Sequence, residues 1–354
     1  TNSNPAGAFR GFGNPQVHFA MERHMDRIAT ELGLDPAAVR RRNLLRDGDA
    51  LATGQQISDG VDAPALLSAA QKLAHYEEKR LNHECFNRDQ AWKRRGLGMA
   101  CSFHGAGLPL HYEQLLASAV AIEAVADGSV RLLSSIVEMG QGSDTVFVGL
   151  AADYLGLDDA EVTLAPPDSA LVPDSGPSVA SRTSMVVGNL VQQACERLLI
   201  ELELPPGSRG DTVRSRIRQR LAERPESCIR AQARYHADQV PNWNEDTFQG
   251  ESYPAFSWAA QLAEVEIDLR TGQVSVLDLV SVQDVGTVLN QTLARGQVQG
   301  GVAQAVGWAL FEQVLTQQGA MHNANLADYS LPTSADLPPV RSAFVETPCP
   351  HGAN

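Results

Sequence analysis

Between residues 15 and 32, apolar side chains recur every three or four positions: Val17, Ala20, Met21, Met25, Ile28, Ala29 and Leu32. That spacing lays them along one stripe of a helix, and Gly33 supplies the stop. Asp35-Pro36 opens a second helix, the Asp as N-cap and the Pro in the first turn, running through Val39, Arg40 and Arg42. A third is expected after Asp62, carrying Leu66, Leu67, Ala70, Leu73 and Ala74. The pattern changes at Arg95. Residues 117–125 and 130–137 read as strands around Asp127-Gly128, a hairpin signal. Helical spacing returns over 145–155, and 162–164 is a short strand. The loop 166–181 is rich in Pro, Ser, Asp and Gly, and a helix follows over 183–202. Residues 205–250 are polar and Arg-rich at first, which predicts a surface insertion. A second hairpin is expected from 262–268 and 273–282 around Arg270-Thr271-Gly272, and a Gly- and Ala-rich helix over 293–311.

These elements predict a mixed α/β (α+β) fold of β-hairpins and packed helices in more than one unit. The divisions expected are 1–60, a helical connection over 61–94, and 95–354, with 205–250 as an insertion in the last. The chain has 354 residues, 43% hydrophobic and 20% charged, enough apolar material for a large core or two smaller ones. No apolar run is long enough for a bilayer and no signal peptide is evident. A formal charge of −14 argues against a nucleic-acid partner. Cys85, Cys101, Cys195, Cys228 and Cys349 are scattered, with no close pair for zinc or an iron–sulfur cluster. An odd, sparse set fits a reduced, cytoplasmic protein. Both ends read as cut, so a fragment or split subunit is expected.

Four segments stand out. Gly7-Ala8-Phe9-Arg10-Gly11-Phe12-Gly13 sets an Arg between two Phe residues in a glycine-rich loop. It serves equally as a tight turn or as backbone brought close to a ligand. Glu138-Met139-Gly140-Gln141-Gly142-Ser143 lies between a strand and a helix, where free amides bind an anion, or where a turn simply needs glycine. In 174–183, Ser178, Ala180, Ser181 and Thr183 precede a helix, as an N-cap or as a run of donors for a polar heterocycle or phosphate. Gly296-Gln297-Val298-Gln299-Gly300-Gly301 puts Gln297 at an expected helix start, with Gly300 and Gly301 easing helix packing. Neither a nucleotide P-loop nor a Gly-x-Ser-x-Gly elbow is present.

In this order, the four segments resemble the molybdopterin-binding subunit of the xanthine dehydrogenase and aldehyde oxidase family, in its carboxy-terminal half. The opening loop is similar to that family's GAFRGFGxPQ, Glu138 to Gly142 to its xMGQG, and Ser178 to Ser181 to its [ST]-x-A-S. Ala263 to Asp268 with Thr271-Gly272 resembles its EVEVD..TG hairpin, and Asp284-Val285-Gly286 and Gly296-Gln297-Val298 also sit where expected.

The resemblance implies molybdenum held by the dithiolene of molybdopterin, or of its cytosine dinucleotide, rather than by side chains. It implies hydroxylation of an N-heterocycle, purine or aldehyde with oxygen from water. Electrons would pass to iron–sulfur clusters and FAD on partner chains, in an assembly that also holds the rest of the subunit and is a dimer. Phe9 and Arg10 would lie beside the metal oxo group; Gly140, Gln141, Gly142, Ser178, Ala180, Ser181, Thr183 and Gln297 would meet the cofactor. Phe12 would stack on the substrate, with Cys101 and Ser102 near the opposite wall. The family's catalytic Glu, in a GxKGxGE motif, would begin where this chain ends, and Glu196 stands where relatives often have Gln. Two other readings are weighed: a degenerate scaffold of the same fold, and a hydrolase or transferase using Ser181 with His104 or His351.

Overall fold

Short polar caps and left-handed glycines fix the first helices. The computed structural model describes residues 7–58, 60–116, 118–223, 228–236 and 242–347. Gly33 (φ 62°) closes α1 (Asn14–Leu32), its amide on the carbonyls of Ala29 and Thr30. Asp35 caps α2 (Pro36–Asn43) through the Ala38 amide at 2.9 Å, and Asp62 caps α3 (Ala63–Ala74) through that of Ala65 at 2.9 Å. A further helix, α4 (Tyr76–Asp89), lies within the expected helical connection, where the apolar spacing marks only α3. It is held by charge, not by an apolar stripe: Lys79 Nζ lies 2.6 Å from Glu264 and 2.5 Å from Asp278, and His83 Nε2 lies 2.7 Å from Glu264.

The long strand β1 (Lys93–Gly105) follows, its alternation diluted in the sequence by Gly96 and Gly98. After the short helix α5 (Leu110–Glu113), β2 (Ala119–Val125) and β3 (Val130–Leu133) form the hairpin at Asp127-Gly128. Ala117 lies outside the described residues. Then come α6 (Ser143–Leu155), β4 (Val162–Leu164) and a π-helical turn over Thr183–Val187 that runs into α7 (Gly188–Glu201). The helix α8 (Asp211–Glu223) and strand β5 (Cys228–Arg234) lead to a small hairpin, β6 (Trp243–Asn244) and β7 (Gln249–Gly250). The second long hairpin is β8 (Phe256–Asp268) and β9 (Val274–Asp284), then α9 (Gln291–Leu310). A minor pair, β10 (Thr316–Gln317) and β11 (Ala320–Met321), precedes β12 (Val340–Phe344).

Two four-stranded sheets organise the chain. In the order β4-β3-β2-β5, Val120, Ile122 and Leu132 share a core with Phe147 and Leu155 of α6, Leu190 and Leu198 of α7, and Ile217 of α8. In the order β1-β8-β9-β12, Trp258, Ala260, Leu262, Val280 and Val282 share a second core with Leu66, Leu67 and Ala70 of α3. The mixed α/β expectation therefore holds. The residues read as a connection, 61–94, form two helices that lie against this second sheet. The surface insertion expected over 205–250 is corrected: Val213 and Ile217 of α8 are fully buried, and β5 pairs with β2 along seven residues. Its arginines disguised it. They lie along the flanks of α8, most of them half-buried, and pair with Glu161, Glu203 and the Asp127 carbonyl, while one apolar residue per turn points in.

Candidate functional site

The opening loop reaches across to the far end of the chain. Arg10 Nη2 donates to the Gln297 carbonyl at 2.8 Å and to its side-chain Oε1 at 3.1 Å, and Nη1 donates to Gln304 Oε1 at 3.2 Å. The guanidinium rests on bare backbone: a Cβ on Gly300 would stand 3.3 Å from Nη1, and one on Gly301 3.6 Å from Cζ. These glycines make room for a cation, a use the sequence did not disclose. Enclosure by α9 strips water from the guanidinium and holds its pKa below the usual arginine value. Gln297 is not at a helix start. Asn290 is the N-cap, so Gln297 lies inside α9, its two oxygens answering Arg10. Phe9 and Phe12 are 70% and 60% exposed. The Phe9 ring centroid is 6.2 Å from that of Trp308, and Phe12 adopts φ 49°.

At the start of α6 the sequence allows either free amides for an anion or a turn that simply needs glycine, and the structure fills the amides from within. Glu138 accepts from the amides of Gly140 (2.6 Å), Gly142 (3.0 Å) and Asp144 (3.2 Å) and from the Ser143 hydroxyl (3.2 Å). Burial pushes its pKa up, but these four donors outweigh it and hold the carboxyl below its ordinary 4.5. Gln141 also closes on its own loop. Its Oε1 accepts from the Met139 amide at 2.6 Å, and its Nε2 donates to the Val137 carbonyl at 2.9 Å and to Ser143 Oγ at 3.0 Å. Gly142 (φ 86°) abuts α9, where a Cβ would meet Leu293 Cδ1 at 2.7 Å.

A depressed folded pKa gives stability that is present above the unfolded value and lost as pH falls through the folded one. The amide resonances of Gly140 and Gly142 should therefore hold steady from neutral pH down past 4.5 and shift only in more acid solution. Titration of both glycines at an ordinary carboxylate pH would show that Glu138 does not occupy the amides.

The third loop is tied to the second. Ser178 Oγ accepts from the Val137 amide at 2.8 Å, and fully buried Ser175 donates to the Ala119 carbonyl at 2.7 Å while accepting from the Ser135 amide at 3.1 Å. Ala180 sits at φ 53°, a conformation costly for a residue with a Cβ. Ser181 Oγ accepts from the Gly107 amide at 2.7 Å, which leaves its proton to donate. Thr183 begins the π-helical turn, a feature that recurs at functional sites.

Other sequence readings fare differently. Cys101 lies beside Glu22 and Arg40 under α1, its amide 3.2 Å from Glu22 Oε2. Burial first, then the Glu22 charge, pushes its thiol up to about 12, and the side chain packs against the second core. Ser102 follows it on β1, opposite Ala259. His104 Nδ1 pairs with the Gly105 carbonyl at 2.8 Å and Ser181 with the Gly107 amide, so the bonds these two residues make do not join them as nucleophile and base. His351 lies outside the described residues. Glu196 is exposed on α7 and accepts from Tyr154 Oη at 3.2 Å.

Comparison with known proteins bears on what these loops serve. The profile of the molybdopterin cofactor-binding domain matches residues 69–338, and a second profile of that description matches residues 1–44. The xanthine dehydrogenase molybdenum-binding subunit of Escherichia coli O157:H7 is 33% identical over 372 residues, covering 100% of this chain and 48% of that protein. The aldehyde oxidoreductase of Megalodesulfovibrio gigas is 31% identical, covering 99% and 37%. Among solved structures, the aldehyde oxidoreductase of Desulfovibrio desulfuricans superimposes with a TM-score of 0.83 at 30% identity, over 98% of this chain and 36% of that one. Quinoline 2-oxidoreductase of Pseudomonas putida 86, 24% identical, shares the fold with a TM-score of 0.84 over 98% of this chain and 47% of that one. The chain thus spans half or less of the length of these relatives.

Proposed function

The chain belongs to the family of molybdopterin cofactor-binding domains, and on that premise we propose that it is the cofactor-facing part of a molybdenum hydroxylase acting on an N-heterocycle, purine or aldehyde. The observation that carries this is convergence. Arg10 docks on Gln297 and Gln304 of α9, Gly142 abuts Leu293 of the same helix, and Ser178 ties the third loop to the second. Two loops far apart in sequence meet on one helix, and a third is tied to the second of them.

The donor set suits a polar, anionic, flat cofactor. The amides of Gly140, Gly142 and Asp144 hold the carboxylate of Glu138, which supports a turn shaped for an oxyanion; a cofactor oxygen would take these amides by displacing Glu138. We assign the pterin contacts to Gly140, Gln141, Gly142, Ser178, Ala180, Ser181, Thr183 and Gln297, with the Phe9–Arg10 backbone toward the metal side. Bound there, the group would supply the oxygen transfer and accept two electrons. Ser181 would donate its free proton to it, and Arg10 would keep the opening loop pressed to α9. The base, the remaining cofactor contacts, the iron–sulfur clusters and the FAD are assigned to the rest of the assembly. The runner-up, a degenerate scaffold, keeps the fold without the metal.

The test is to purify this chain with the polypeptides that associate with it and measure molybdenum, released pterin and dye reduction driven by heterocycles and aldehydes. One metal and one pterin per chain, with turnover, are expected. An intact assembly that carries neither would reject the hydroxylase reading in favour of the scaffold.

A further inference from the structure

Arg182 lies inside the loop 174–183, and its side chain is fully buried. Part of its fork grips the loop itself: Nη1 donates to the carbonyls of Ser175 (3.1 Å) and Pro177 (2.8 Å). Between those two residues stands Gly176 at φ 75°, where a Cβ would press to 3.0 Å from Nη2 and 3.2 Å from Cζ. The rest of the fork grips a different segment. Nε reaches Glu113 Oε2 at 2.9 Å, and Nη2 reaches Glu113 Oε1 at 2.8 Å and the hydroxyl of Ser118. Ser118 itself donates to Glu113 at 3.0 Å. The loop is wound around a guanidinium rather than around apolar side chains.

A buried ion pair of this kind is a poor source of net stability, since apolar residues of similar size often serve as well. A planar fork does fix directions that apolar contacts leave loose. We propose that Arg182 and Glu113 are a positioning pair, fixing the backbone of 174–183 so that Ser178, Ser181 and Thr183 present their groups to the cofactor. This rests on the reading of that loop as cofactor-facing. The Gly107–Ser181 bond joins the segment leading into α5 to the same loop, so the pair acts where the donors are.

The test compares the assembled enzyme with the Glu113→Gln variant and with the double variant Arg182→Met, Glu113→Leu, which removes both charges at similar volume. Three quantities are read: melting temperature, hydrogen exchange of the amides in 174–183 against cofactor-free wild type, and pterin released per chain. The double variant should melt near wild type, yet exchange the loop amides about tenfold faster or more and retain several-fold less pterin. Glu113→Gln, which keeps the shape but weakens the fork, should show the same two effects in smaller measure and decides the matter if the double variant does not fold. Wild-type exchange in the loop of either folded variant overturns the positioning role. Fast exchange with full pterin content overturns it as well, and in that case the fault lies in assigning this loop to the cofactor.

Discussion

Phe12→Ala is expected to slow turnover of a flat heteroaromatic substrate about a hundredfold, the usual cost of misplacing a reacting carbon by about an ångström, and to slow a small aliphatic aldehyde far less. The sequence left open whether this ring packs inside or faces a ligand. Within the chain it is 60% exposed and held at φ 49° between Gly11 (φ 89°) and Gly13 (φ 82°), a backbone shape that carries the ring outward. Truncating an exposed ring opens no cavity, so melting temperature and cofactor content should stay near wild type. A stacked ring contributes roughly 0.5–1.5 kcal/mol beyond area burial, and only a substrate with a π-face receives it. The measurement is kcat/KM for the two substrates in the assembled enzyme at equal molybdenum occupancy. Equal losses for both would remove Phe12 from the substrate side.

Local signals were legible wherever one residue fixes one local geometry. Asp35 and Asp62 as caps, Gly33 as a stop and Asp127-Gly128 as a hairpin are each fixed by chemistry within a few residues, and each was readable. Arg10 is different. Its partners on α9 are 287 or more residues away, and the use of Gly300 and Gly301 as a seat for its guanidinium depends on that distant contact. The motif around Glu138 is legible but the role of Glu138 is not, because an acidic residue five positions before a helix gives no sign that it will turn back onto the amides. Arg182 and Glu113 give no sign either, since buried charge looks in sequence like surface charge.

The same ambiguity hides two helices. Periodicity detects apolar stripes, so α4, whose inner side is held by Lys79 and His83 on Glu264 and Asp278, left no pattern to find. In α8 a narrow stripe exists but is outnumbered by arginines with surface partners. Polar composition measures what most of a helix surface shows to water, and a helix needs only Val213, Ile217 and Leu221 to join a core.

Ile217→Ala should therefore cost about 2–5 kcal/mol, the range for emptying a fully buried aliphatic site, and not the few tenths expected of a surface insertion. Ile217 is 0% exposed and belongs to the core shared by β2, β3, α6 and α7, so the lost methyl groups leave a hole lined by residues already fixed in a sheet. Those neighbours cannot collapse inward without straining the β2–β5 pairing, which places the expected cost above the bare transfer of a side chain. Ser215→Ala, exposed on the same helix, is the control and should change stability by no more than about 0.5 kcal/mol. Urea unfolding of both variants against wild type provides the comparison, with an unchanged slope showing that the unfolded state is not the cause. Similar midpoints for Ile217→Ala and wild type would mean that α8 lies on the surface after all, and that the first core ends at α7.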